Sequence, residues 1–275
     1  MRLGFTDSQI GLGYLGGFVA RASTVAISLF VPLFVNAFFI HHGYCQGTTP
    51  HDPSPELKKE CRAAYLLASM LTGVAQLTGL LCAPLFGYLS RRPRRLNLPI
   101  LAATSLGVVG YLLFPRLPSP EPRDVDGRGG SPLVLVAAAL VGVSQIGAIV
   151  CSLGSLGQGV LAADDDAAAP APRGDADEGV DDDDDDDEAN PLLAPESATP
   201  PPPRASRVRL KGSVAGVYSW CGGAAILLLT KLGGYLFDTW STGAPFYMMA
   251  VFNGVLLTAS LGVDMGRAYK RRARR

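Results

Sequence analysis

Two cations stand inside otherwise apolar stretches, Arg21 and Lys231, and through them this chain could bind something charged. A charge in hydrocarbon costs several kcal/mol unless it is paired, reaches the interface or lines a wet path. Arg21 has two readings: a side chain reaching lipid phosphates from near one end of its helix, or a contact for a solute. Lys231 lies seven residues before Asp238, close to two helical turns, so the two fall on one side of a helix and could form an ion pair. Contact with a solute is the other reading of Lys231. Gln76, Gln145, Asn36 and Asn253 are uncharged polar groups in apolar surroundings. Hydrogen bonds between helices account for most such residues, and the alternative is that one or two line a cavity. Gln145, beside Ser144 and Gly147, is the first choice for that role. No carboxylate falls in the middle of an apolar run. The one that a proton-coupled carrier keeps in the membrane would have to come from elsewhere, or coupling is absent.

Other reactive residue types point away from catalysis. His41, His42 and His51 share one hydrophilic stretch, and no histidine–carboxylate constellation has catalytic or metal-ligating spacing. Neither an enzyme nor a metal or other cofactor is expected. Cys82, Cys151 and Cys221 read as small apolar residues. Cys45 and Cys61 bracket the first outer loop, and a disulfide between them is open, because spacing alone does not establish geometry. Glu188 with Leu192 and Leu193 fits an acidic dileucine sorting signal, with a solvated, silent loop as the competing reading.

Six long apolar runs must position these side chains, at roughly 15–40, 63–89, 96–114, 133–157, 213–237 and 245–263. Each is near or above the ~20 residues that cross a bilayer as a helix, and none alternates apolar and polar as a barrel strand does. The expected fold is therefore an all-α membrane protein, a bundle of six transmembrane helices. Residues 1–161 hold the first four and 212–266 the last two, followed by a basic tail over 267–275. Met1 to Ile10 lacks the short apolar core of a signal peptide.

The neutral total charge conceals a division. Of 24 acidic residues, 15 lie between Leu161 and Gly212, and the rest of the chain carries a net charge of +10. The 162–211 segment, with the acidic run Asp181–Glu188 and four consecutive prolines from Pro200, cannot bury a core and is expected to be a disordered loop. With both termini in the cytosol, the cytosolic segments hold 16 Lys and Arg and the outer loops six, which sets the orientation.

Order and spacing then suggest a family. Ala20-Arg21-Ala22-Ser23 with Ile27-Ser28-Leu29-Phe30-Val31-Pro32-Leu33-Phe34-Val35-Asn36 resembles the seventh helix of a fungal group of major facilitator superfamily transporters. Leu77 to Leu89 with Arg91-Arg92-Pro93-Arg94-Arg95 is similar to the eighth helix and the basic loop after it, and Ser144-Gln145-Ile146-Gly147-Ala148-Ile149-Val150 to the tenth. Gly216-Val217-Tyr218-Ser219 through Lys231-Leu232-Gly233-Gly234 to Phe237-Asp238, then Ala244-Pro245-Phe246, resembles the eleventh and the start of the twelfth. The family's loop signature is only echoed by Gly87 to Arg95, with Arg91 at its aspartate position.

The resemblance implies half of a major-facilitator-type fold, two inverted three-helix repeats with the solute held between halves near the midplane. The implied partners are a lipid bilayer, a small-molecule solute, and a missing N-terminal half or a second chain; no nucleic acid is expected. The expected function is transport of a small solute by alternating access, in a plasma membrane or a vacuolar or endosomal one. Of the polar candidates, Arg21, Gln76, Gln145, Lys231 and Asn253 would line the pathway. A non-transporting scaffold or sorting protein that displays the acidic loop is the alternative.

Overall fold

The computed structural model describes residues 8–43, 61–91, 97–124, 129–168 and 204–273. Among them the chain is all-helical. Six helices are long and apolar enough to cross a membrane: α1 (Ile10–His41), α2 (Arg62–Ser90), α3 (Leu98–Arg116), α4 (Leu133–Gly157), α5 (Gly212–Thr239) and α6 (Ala244–Tyr269). This is the architecture of a multi-pass integral membrane protein. Helices are what continuous Leu, Val, Ala and Gly runs form in lipid, because a helix satisfies its backbone polar groups within one segment. The inner side is the one where α1 begins, the cytosol in the expected orientation, and the outer side is its opposite.

The helices run further than their apolar cores. α1 starts five residues before the expected span, and helix extends from α4 to Ala168 and begins ahead of α5 at Arg204. The loop expected to be disordered over 162–211 is thus helical at both described ends, where Leu161-Ala162-Ala163 and Arg204 to Lys211 prolong turns already nucleated by the membrane helices. Residues 169–203, with Glu188, Leu192 and Leu193, lie outside the described residues.

Packing follows a two-fold plan. α1 and α4 cross at the centre, α2 packs on α4, α5 packs on α1, and α3 and α6 pack on each other behind them. Exchanging α1, α2 and α3 for α4, α5 and α6 leaves these neighbour relations unchanged. Because α1 and α4 cross in opposite directions, this is the arrangement of an inverted repeat. Ser23, Ala26, Ile27 and Phe30 of α1 are buried, and Ser144, Gly147, Ala148 and Cys151 of α4 are buried at the same helical spacing.

Glycines set the closest approaches. A side chain on Gly142 would collide with the backbone of Ala75, so α2 lies directly on α4 there. Helices held by packing in lipid depend on such small contacts. At the outer end Phe34, Phe114 and Phe246 form one cluster, with ring centroids 4.9–5.6 Å apart. At the inner end Ile10, Leu156 and Val214 pack together.

Two turns are wider than α-helical: Ala26–Phe30 in α1 and Leu229–Gly233 in α5 are π-helical. They meet, since a side chain on Gly233 would touch the Phe30 ring. Phe30 also lies 6.2 Å from Phe237 between ring centroids.

Candidate functional site in the membrane interior

Midway along the bundle, where α1 crosses α4, uncharged polar side chains gather. Ser144 lies roughly 16 Å along α4 from Leu133 at 1.5 Å per residue. Its hydroxyl donates to Asn253 Oδ1 on α6 at 3.2 Å, and Asn253 Nδ2 donates to the Met249 carbonyl at 2.9 Å. Gly107 of α3 faces this pair, and any side chain there would strike both the Ser144 hydroxyl and the Asn253 amide.

The neighbouring residue of α4 reaches the other way. Gln145 Nε2 donates to Thr24 Oγ1 at 3.0 Å, and the Thr24 hydroxyl in turn donates to the Ala20 carbonyl at 3.1 Å. Ser23-Thr24 and Ser144-Gln145 are polar dipeptides of the two crossing helices, joined by the Thr24–Gln145 bond. Ser23 precedes Thr24 as Ser144 precedes Gln145. Its hydroxyl stands beside that of Tyr111 on α3, both fully buried, and neither reaches hydrogen-bonding geometry.

Of the sequence candidates, two are thus brought into this centre. Gln145 and Asn253 are buried and hydrogen-bonded between helices. Gln76 is exposed on α2, and Asn36 is half-buried on α1; neither amide makes a hydrogen bond among the described residues. Arg21 is exposed on α1, in the turn before Thr24, and its stem from Cγ to Nε lies across Gly222 of α5.

Lys231 and Asp238 are both exposed, and no ion pair joins them among the described residues. The π turn Leu229–Gly233 explains the difference from the expected pairing, since an i→i+5 turn advances each residue by less than the α-helical angle. Residues seven apart across it no longer stack.

Cys61 is disulfide-bonded, whereas Cys82, Cys151 and Cys221 are free. The remaining cysteine, Cys45, lies outside the described residues, as does His51. His41 and His42 are exposed at the outer end of α1, and the His42 ring shares a hydrogen bond with the Phe38 carbonyl at 2.8 Å.

One polar residue does not stand out in the sequence: Asp264, which reads there as a helix-end residue. It is buried at the inner end of α6, where it accepts hydrogen bonds from Asn97 N at 2.9 Å and Asn97 Nδ2 at 3.1 Å, with Arg267 3.9 Å away. A carboxylate at the N-terminus of α3 meets orphan backbone donors and the positive end of the helix dipole. Asp264 thereby ties the last helix of one repeat to the last helix of the other. Its partner lies 167 residues away, so no local pattern announces the contact.

Among the described residues no cluster of His, Cys, Asp or Glu could hold a metal ion. Compared with known proteins, the chain matches no family model, no curated protein and no solved structure.

Proposed function

We propose that the chain forms one half of a transmembrane transporter for a small solute, working by alternating access against a second six-helix unit in the same or another polypeptide. The observation that carries the reading is the inverted repeat with polar groups at its centre: α1 and α4 cross in opposite directions and meet through Thr24 and Gln145 near mid-membrane. Inverted repeats with a midplane site recur in secondary transporters, because two structurally equivalent repeats can exchange conformations and expose one site to either side. The resemblance of the helix motifs to a fungal major facilitator group supports the same reading.

The test is to purify the protein from its native membrane with whatever accompanies it, measure the mass of the complex, and reconstitute it for solute-flux assays. The expected result is a unit with about twelve membrane helices and saturable flux. A complex of six helices that conducts nothing would contradict the proposal and leave the scaffold or sorting reading.

A further inference from the structure

The crossing helices differ two residues before their polar dipeptides, and the difference places a cation inside an apolar span. Arg21 stands two residues before Ser23 on α1, where Gly142 stands two residues before Ser144 on α4. At Gly142 the seam closes, because α2 lies with Ala75 directly against it. At Arg21 the seam between α1 and α5 is filled by the arginine stem, seated on Gly222. Gly222 is the matching adaptation, since a side chain there would meet Arg21 Cγ. The side chain is thus laid against α5 as far as Nε.

From this we infer that Arg21 is the recognition residue for an anionic solute, one bearing a carboxylate or phosphate group; the inference rests on the transporter reading and names its substrate class. Arg21 and Thr24 follow helical spacing on one face of α1, just before the π turn that carries Ser28. Arg21 and Ser28 are exposed there, and Thr24 is held by Gln145. Arg21 has no ion-pair partner among the described residues. Charge balance points the same way. The two cations away from the ends of the spans are Arg21 and Lys231, while Asp238 lies at a helix end and Asp264 is engaged by Asn97 and Arg267. An intramembrane cation so placed repels cations and repays its desolvation by binding an anion. Guanidinium does this in bidentate geometry, which ammonium cannot reproduce.

The test uses the full chain, purified with any partner it carries, in phosphatidylcholine nanodiscs. Thermal unfolding is followed with inorganic phosphate, with succinate, and with choline as the cation control at matched ionic strength. Phosphate or succinate should raise the midpoint, and choline should not. Arg21→Ala should raise the anion concentration needed by at least about tenfold, and Arg21→Lys should fall in between. Gly222→Ala, which keeps the charge but displaces its stem, should also weaken the response and covers the case in which Arg21→Ala does not fold.

An equal response in wild type and variants, or no response to either anion, overturns the inference. So does a midpoint that responds only to phosphatidylglycerol in the nanodisc, which would make Arg21 a lipid-headgroup contact. Anion binding without flux would remove the transporter reading and leave Arg21 as an anion site. Flux of neutral or cationic solutes without an anion effect would do the reverse.

Discussion

At Gly107 a single missing methyl group decides whether the centre of the bundle can form. The Ser144–Asn253 hydrogen bond fits only because α3 presents no side chain there. Gly107→Ala has two opposed effects. Alanine is favoured over glycine within a helix by about 1 kcal/mol, while overpacking a filled interior costs ~1–3 kcal/mol. Loss of an interhelical hydrogen bond adds roughly 0.6 kcal/mol. Destabilisation wins, by about 1–2 kcal/mol on these magnitudes. Gly223→Ala on α5, where nothing lies within 4 Å, should be neutral or stabilising. Thermal unfolding of both variants in detergent checks the contrast, and equal midpoints would mean that Gly107 is not the tight contact described. The sequence marks Gln145 and Asn253 as polar residues in apolar runs, which is legible because water-seeking groups are rare there. It does not say that their partners are Thr24 and Ser144, across 121 and 109 residues, nor that Asp264 is a buried cap for another helix.

At the scale of elements, the six helices could be read directly from apolar run length, since bilayer thickness fixes how much helix is needed. The π turns could not, because a one-residue widening leaves hydropathy unchanged and alters only the angle between the helical segments on its two sides. That angle aims the outer part of α1. Phe34 reaches Phe114 and Phe246 beyond the Ala26–Phe30 turn. Inserting one alanine after Leu29, an exposed residue in a turn that is already widened, should rotate the outer segment by about 100°. The aromatic cluster would then be broken, with less monodisperse protein and a lowered unfolding midpoint. An insertion variant that folds and melts like the wild type would show that the phase set at this turn does not fix the packing of the outer end.

At the scale of the whole molecule, the crossing of α1 and α4 gives two repeats a shared polar centre, and Arg21 breaks their equivalence on the exposed side of α1, where Ser28 is exposed as well. A partner half would close over that face; bare lipid would face it in a scaffold. The two cases differ in whether water reaches the middle of α1. Ser28 is exposed there and, among the described residues, hydrogen-bonded only to the Thr24 carbonyl, so replacing it by cysteine alters little else. The most direct measurement is labelling of Ser28→Cys by a membrane-impermeant thiosulfonate, applied from each side of sealed membranes in a background where Cys82, Cys151 and Cys221 are replaced. The thiolate that reacts forms only where water enters. Labelling from both sides, in proportions that shift when transported solute is added, is the result predicted for an alternating-access half-transporter. Protection from both sides would place Ser28 in lipid and contradict it.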